Sequence, residues 1–209
     1  MIKRKSTPRR APAAATSPLN PVREKIILAA IETIERDGFP AVTIRSIARR
    51  AGVNSAAINY YFRSKDNLLE EVFKKTIEHS AEDLKTILNA DGKAPQEVLE
   101  EFLLYLMDGA VLYPGLTKSH MYDVLVGRKS DNLFLQRINV LLADAADRIR
   151  KLKPAESPDA ARDAALRMIS AVILPALMPR AFRPLTGKSF ENAETRRAYV
   201  KSVVETNLK

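Results

Sequence analysis

Residues 43–65 read TIRSIARRAGVNSAAINYYFRSK and predict two short helices separated by a tight turn. Thr43 can cap the first helix, because a side-chain oxygen at that position accepts a hydrogen bond from a free N–H group of the first turn. Gly52 follows the helix, where a left-handed residue is often needed. Asn54 can cap the second helix, residues 55–61. Two helices joined by a turn with glycine form a helix-turn-helix, which lays its second helix in the DNA major groove.

The charge of this stretch agrees with that interpretation. Its charged residues are all cations: Arg45, Arg49, Arg50, Arg63 and Lys65. Contacts to phosphates supply much of the affinity for DNA, so a basic surface around a helix of small residues suits that task. The alternative is a solvated helical hairpin with incidental arginines, and it leaves the coincidence of caps, glycine and charge unexplained.

The same stretch resembles the N-terminal DNA-binding domain of the TetR family of transcriptional regulators. The matching residues are Thr43, Ile47-Ala48, Ala51-Gly52-Val53, Asn54, Tyr60-Tyr61-Phe62, Lys65 and Leu68. The resemblance covers roughly Val22 to Val72. Asn54 and Asn59 stand where the commonest family form has Ser and Tyr. Asn59 can contact adenine with two hydrogen bonds, so its presence bears on base preference.

The resemblance and the predicted helices together give a set of DNA-binding residues. We expect Asn54, Ser55, Tyr60, Tyr61 and Lys65 to contact the DNA backbone, Ala56, Ala57 and Asn59 to face the bases, and Thr43 and Arg45 to add phosphate contacts. The expected partner is a palindromic, double-stranded operator, because a two-fold protein dimer binds two related half-sites.

Composition limits the other classes of function. The chain has 209 residues, a net charge of +9 and no cysteine, which excludes disulfides and thiolate metal sites. The sequence contains no G-x-S-x-G, Walker or H-E-x-x-H motif, and it predicts neither an enzyme nor a cofactor. His79 and Asp83 are spaced to share a metal with His120, but nothing in the sequence brings them together. Without a long apolar run, the expected location is the cytoplasm.

The chain divides into three predicted segments. Residues 1–20 carry Lys3, Arg4, Lys5, Arg9 and Arg10 without an acid, and we expect a disordered basic arm. Two interpretations of the arm stay open: it lies in the minor groove, or it adds only general attraction. Residues 21–66 are the predicted DNA-binding domain, and residues 67–209 are the predicted ligand-binding and dimerisation domain.

The apolar periodicity predicts an all-α fold of about nine helices. The boundaries expected after the helix-turn-helix place a long fourth helix from Ser64-Lys65, then helices at about 97–113, 117–126, 132–153, 159–178 and 194–208. In the last helix, Tyr199, Val200, Val203, Val204 and Leu208 share one side, for which the sequence offers no neighbouring partner. We therefore expect a homodimer through the last two helices, about 159–178 and 194–208. The alternative is packing of that side against helix five.

Polar groups within the apolar middle helices suggest a small-molecule site. The candidate ligand-binding residues are Tyr105, Tyr113, His120, Tyr122, Phe134 and Arg137. Asp108 and Asn139 share this pattern. Each residue taken singly also fits a satisfied polar edge of a helical core, and the family resemblance favours the site. The resemblance implies a repressor released from DNA by an unidentified effector, and the alternative is a constitutive DNA-binding module whose C-terminal domain only dimerises or binds a partner protein. Activation instead of repression stays open.

Overall fold

The computed structural model describes residues 20–126 and 132–208, and those ranges contain ten α-helices and no strand. The helices are α1 (Pro21–Asp37), α2 (Ile44–Ala51), α3 (Ser55–Phe62), α4 (Lys65–Leu88), α5 (Pro95–Leu112), α6 (Pro114–Leu125), α7 (Leu133–Leu152), α8 (Pro158–Leu177), α9 (Arg183–Thr186) and α10 (Ala193–Asn207). The all-α prediction is confirmed, and the helix beyond the expected nine is α9, a single turn. The predicted basic arm, apart from Asn20, and the predicted loop at 127–131 lie outside the described residues.

The caps predicted for the helix-turn-helix are present. Thr43 accepts a hydrogen bond at its hydroxyl from the Ser46 backbone N–H (3.0 Å), and Ser46 accepts one in return from the Thr43 N–H (3.0 Å). Gly52 ends α2 in the left-handed conformation, with φ 61° and ψ 38°. Asn54 then caps α3 by accepting from the Ala57 N–H (2.8 Å). The angle between the two helices is therefore set by local hydrogen bonds and one left-handed glycine.

The buried apolar side chains form two clusters. The first joins α1, α2, α3 and the start of α4, and it includes Ile26, Ile47, Ile58 and Leu68. The second joins the end of α4 to α5, α7, α8 and α10. Because α4 is 24 residues long, it contributes to both clusters and physically connects them. Within the ranges described, every helix is too short or too polar to traverse a lipid bilayer.

The start of α6 differs from the sequence-based expectation. The pair Pro114-Gly115 predicts a stop after α5 and a gap before a helix at Thr117, but α6 begins at Pro114 itself. Proline suits the first turn of a helix because its missing N–H has no partner there in any case. Two of the remaining N–H groups, on Gly115 and Leu116, donate to the carboxylate of Glu35 in α1.

The packing of α10 corrects one argument for the dimer. Val200, Val203 and Val204 are buried within the same chain, where α10 packs on α5 and α8. Arg196 on the same helix is only 4% exposed. It donates to the Asp108 carboxylate of α5 and to the carbonyls of Phe190 and Glu191. The apolar side of α10 therefore has an intramolecular partner, and it does not by itself support a dimer.

Candidate nucleic-acid interface

The second helix of the helix-turn-helix, α3, has one buried and one exposed side. Ile58 and Phe62 are buried against the first cluster and fix the helix in place. The opposite side exposes a row of small and polar side chains: Ser55, Ala56, Asn59 and Tyr60. Ala57 is half-buried between the two sides. A helix with small residues on its outer face can approach the floor of a major groove closely, and the Asn59 amide on that face can pair with two polar atoms of an adenine edge.

Two tyrosines close the exposed side of α3 at its C-terminal end. Tyr60 is 81% exposed, and its ring meets that of Tyr61 edge-on at 5.0 Å between centroids. The Tyr61 hydroxyl accepts a hydrogen bond from the Asn20 side-chain amide (3.0 Å). Tyr61 is therefore held by the N-terminus of α1, whereas Tyr60 is free to reach a phosphate. No sequence pattern indicates the Asn20 contact, because the two residues lie 41 positions apart.

The cations of this region fall into two groups. Arg45, Arg49 and Arg63 are exposed. Arg50 is instead engaged by Asp37 (Nη2 to Oδ2, 3.3 Å). Lys65 is half-buried, with its ammonium nitrogen 3.5 Å from the Val42 carbonyl oxygen. That contact is long enough to be exchanged for a phosphate oxygen, so Lys65 remains in the set of candidate contacts.

Arg63 is a residue that the sequence-based set missed. It follows α3 with φ 66°, a left-handed conformation that is uncommon for a residue other than glycine. Its N–H donates to the Asn59 carbonyl (2.9 Å) and ends the helix. The exposed guanidinium therefore lies one residue beyond α3, and only its positive charge marked it in the sequence.

The candidate ligand-binding residues separate into a group and three outliers. His120 stacks parallel to Phe134 at 6.0 Å between ring centroids and packs on Phe73 at 5.1 Å. Tyr122 packs on Phe39, which also contacts Phe73, each at 5.6 Å. We call Phe39, Phe73, His120, Tyr122 and Phe134 the aromatic cluster. It joins the turn after α1 to α4, α6 and α7.

The three remaining candidates lie elsewhere. Tyr105 donates to Asp83 of α4 (2.7 Å). Tyr113 lines a groove of about 450 Å³ between α1 and the α5–α6 junction, and Arg137 is exposed on α7. A further groove of about 470 Å³ is lined by Glu82, Lys85, Thr86 and Asn89, which were not in the predicted set. Asp83 also lies 3.8 Å from His79, whereas His120 contacts Thr76 instead.

Burial controls the charge of His120. Its Nε2 atom lies 3.1 Å from the Thr76 hydroxyl, and the rings of Phe73 and Phe134 pack against the imidazole. Desolvation lowers the pKa of His120 from 6.5 to about 4, so the imidazole is neutral at physiological pH. A neutral imidazole has one donor and one acceptor nitrogen, and Nε2 is the one beside the Thr76 hydroxyl.

These features define a class: an all-α protein that presents a helix-turn-helix on one cluster and carries a second helical cluster behind it. Residues 26–72 match the family model described as bacterial regulatory proteins, tetR family. The N-terminal part of the chain therefore carries a DNA-binding domain of the kind found in the TetR family of transcriptional regulators.

Relatives with curated names match the N-terminal part of the chain. The chain is 30% identical over 118 residues to the HTH-type transcriptional repressor NicS of Pseudomonas putida, a match that covers 53% of this chain and 54% of NicS. It is 36% identical over 87 residues to the HTH-type transcriptional regulator BetI of Escherichia coli, with 42% of this chain and 43% of BetI covered. The chain thus spans about half the length of these relatives.

Solved structures match over nearly the whole chain. A TetR-family transcriptional regulator from Rhodococcus sp. superposes with a TM-score of 0.67 at 15% identity, over 91% of this chain and all of that one. The fatty acid degradation regulator FadR from Bacillus halodurans superposes with a TM-score of 0.63 at 18% identity, over 92% of this chain and 97% of that one. At such low identity these likenesses show the fold alone.

Proposed function

We propose that the protein is a homodimeric, sequence-specific DNA-binding regulator in the cytoplasm, and that it represses transcription until a small molecule releases it from its operator. The observation that carries this proposal is the outer face of α3. That face exposes small and polar residues, and Arg45 and Arg49 on the preceding helix and Arg63 directly after α3 are also exposed. A cationic border around a face of this kind suits contact with phosphates on either side of a groove.

In the proposed complex, α3 of each subunit lies in a major groove. Asn59 reads a base edge with Ala56 and Ala57 beside it, and Tyr60 and Lys65 contact phosphate oxygens. Thr43, Arg45, Asn54, Ser55 and Tyr61 complete the backbone contacts. The two half-sites lie about 34–36 Å apart, or a multiple of that distance, on one face of the duplex.

The proposed dimer uses α8 with the outer side of α10. Leu166 and Leu174 are each 52% exposed on α8, and Met178 after it is 43% exposed. These side chains are separate from the α8 residues that pack on α5 and α7 within the chain. Apolar side chains at this spacing suit an isologous contact, in which the same patch from each subunit meets its copy.

The proposed division of labour assigns residues 21–66 to DNA binding and residues 67–209 to dimerisation and effector binding. The aromatic cluster supports an effector site, because it holds one neutral imidazole among aromatic rings, and its Phe39 and Phe73 pack against the first buried cluster. An effector that separates these rings would displace α4 or α6 relative to α1. For such a ligand to release DNA, it must bind the DNA-free conformation more tightly, since equal affinity shifts no equilibrium.

A constitutive DNA-binding module is the second candidate. One observation favours it: His120, Phe134 and Phe73 already pack on one another, so their rings fill the space that a ligand would need. In that case the C-terminal region would only dimerise or bind a partner protein.

The two candidates are separated in two steps. The purified protein selects duplexes from a random library, and hydroxyl-radical footprinting maps the selected operator. Two protected segments about one turn apart would support the dimeric regulator, and recovery of unrelated sequences would contradict it. The complex is then challenged with small aromatic and apolar compounds. Release of the protein from DNA by a compound that also raises its unfolding temperature supports the ligand-responsive repressor. His120→Trp places a larger ring in the aromatic cluster. The same release with this variant would exclude the aromatic cluster as the effector site.

A further inference from the structure

One contact joins the proposed DNA-binding domain, residues 21–66, to the C-terminal region, residues 67–209. We call the first of these the reading head and the second the body. Glu35 lies in the last turn of α1, and its carboxylate accepts hydrogen bonds from the backbone N–H groups of Gly115 (3.0 Å) and Leu116 (2.5 Å). The two partners are 80 and 81 residues further along the chain. Glu35 thereby satisfies two of the N–H groups that α6 leaves free at its first turn.

The backbones of α1 and α6 also approach each other closely at this point. A Cβ atom placed on Gly115 would lie 2.6 Å from the Ile34 carbonyl oxygen and 2.8 Å from the Glu35 Cα. Both neighbours are backbone atoms, so neither can move aside without a shift of α1. The position therefore requires glycine, and the start of α6 is fixed in direct contact with the end of α1.

The carboxylate of Glu35 is held there against a desolvation cost. Burial raises its pKa above the usual value, although the N–H groups of Leu116 and Gly115 and the charge of Lys118 lower it in part. The two hydrogen bonds therefore offset part of the cost of burying the carboxylate.

A second contact from α6 reaches the same reading head. Tyr122 packs on Phe39 in the turn that connects α1 to α2. Glu35 binds the start of α6, and Phe39 contacts Tyr122 nearer the end of α6. Together they hold one face of α6 against the DNA-binding unit. Of the two contacts, the one through Glu35 is directional, because two N–H groups must both point at one carboxylate.

We propose that Glu35 is the positioning residue that sets the spacing of the operator half-sites. The inference rests on the proposed function and deepens it. In a dimer held together by the C-terminal region, the Glu35 contact fixes the angle between each reading head and the body. Inserting one base pair between the half-sites moves them apart by about 3.4 Å and rotates one relative to the other by roughly a tenth of a turn. A reading head held at a fixed angle cannot reach the displaced half-site. A reading head without the Glu35 contact can rotate and reach it.

The test compares variants on operators of different spacing. The wild type first selects its operator from a random duplex library, and binding is then measured with none, one or two base pairs inserted at the centre. The variants are Glu35→Ala, which removes the acceptor, Glu35→Gln, which keeps one acceptor oxygen, and Gly115→Ala, which forces the backbones apart. The matched control is Glu32→Ala, because Glu32 is exposed three residues earlier on α1 and carries the same charge.

We expect the wild type and Glu32→Ala to lose about tenfold or more in affinity per inserted base pair, which is equivalent to about 1.4 kcal/mol. We expect Glu35→Ala and Gly115→Ala to lose less than about threefold in affinity per inserted base pair. Both variants should bind an isolated half-site with the affinity of the wild type. Half-site binding is the readout that a damaged fold would reduce and a released head would not. If Glu35→Ala fails to fold, Glu35→Gln decides, with an intermediate loss expected.

If Glu35→Ala, or Glu35→Gln in its place, loses as much affinity per inserted base pair as the wild type does, the inference is overturned. The DNA-binding proposal would remain intact. The inference would also be overturned if Glu35→Ala lost affinity for the isolated half-site and for operators of every spacing. Glu35 would then be needed for the fold of the reading head. A wild type that selects no operator would remove the proposed function, and the inference with it.

Discussion

The side-chain amide of Asn20 donates a hydrogen bond to the hydroxyl of Tyr61, 3.0 Å away, near the end of α3. The same side chain accepts from the Val22 N–H (3.1 Å) and caps α1. One residue therefore ties the beginning of the first helix to the proposed recognition helix. Asn20 therefore lies beside the end of the helix that we propose to face DNA.

This relationship leads to a prediction for residues 1–19. Replacing Lys3, Arg4, Lys5, Arg9 and Arg10 with glutamine should weaken operator binding and flatten its dependence on salt. For every phosphate that the arm no longer neutralises, the slope of log affinity against log salt should fall by about 0.9. Fluorescence anisotropy on the selected operator between 50 and 300 mM salt, roughly the range in which such slopes are resolved, measures the change.

The control for the arm removes the same charge elsewhere. Arg150, Lys151, Arg183, Lys188 and Arg197 are exposed on α7 to α10, away from α3, and their replacement with glutamine also removes five positive charges. If both variants flatten the slope equally, the arm adds only general attraction. A larger effect from the arm, with loss of minor-groove footprint beside each half-site, supports direct contact.

Lys65→Ala should weaken binding to all DNA sequences alike. The ammonium group is 3.5 Å from the Val42 carbonyl, a weak contact that a phosphate can replace. We expect the salt slope to fall by about one. Lys74→Ala is the matched control, since Lys74 is exposed further along α4 and is not in the proposed interface. An unchanged slope for Lys65→Ala would remove Lys65 from the contacts.

Asn59→Ala should change base preference more than overall affinity. Asn59 is exposed on the face of α3 that carries Ala56, and its amide can pair with both polar atoms of an adenine edge. We expect a loss of about 1–3 kcal/mol of discrimination at one base pair of each half-site. Repeating the duplex selection with the variant measures it. A uniform loss across sequences would mean that Asn59 contacts only phosphate.

The burial of His120 predicts a stability that depends on pH. Its folded pKa is lowered from 6.5 to about 4, so between these values the unfolded chain binds a proton that the folded protein does not. The contribution of neutral His120 to the free energy of unfolding should therefore be fully present above pH 6.5. It should decrease as the pH falls towards 4, by up to roughly 3 kcal/mol.

Denaturant unfolding at several pH values, compared between variants, tests this prediction. His120→Phe keeps a ring in the aromatic cluster and removes the titrating group, so its stability should decline less between pH 6.5 and 4. His79→Gln, which removes the other histidine of the chain, is the matched control. Parallel curves for His120→Phe and the wild type would show that other groups cause the acid sensitivity.

Local signals in the sequence were sufficient for the helix-turn-helix. Thr43, Gly52 and Asn54 act through hydrogen bonds and backbone angles within three or four residues, so their roles can be predicted without knowing the fold. The buried and exposed sides of α3 followed from the same stretch, since Ile58 and Phe62 repeat at helical spacing.

Contacts between distant parts of the chain could not be predicted in this way. The Glu35 contact with α6 depends on how α1 and α5 place two backbones side by side, and neither helix pattern encodes it. The same limit applies to α10, because a valine row indicates burial without identifying the partner. Arg196 and Asp108 likewise pair across 88 residues, and only the fold joins them.

The most direct test of the proposed regulator is binding of the purified, full-length protein to the DNA upstream of its own gene, followed over a range of salt concentrations, with sedimentation to establish the oligomer. We predict a specific complex of one dimer that weakens steeply as salt rises. Specific binding only at another site in the genome would still support a regulator, with its operator away from its own gene. Failure to bind any DNA, even at low salt, would contradict the proposed function.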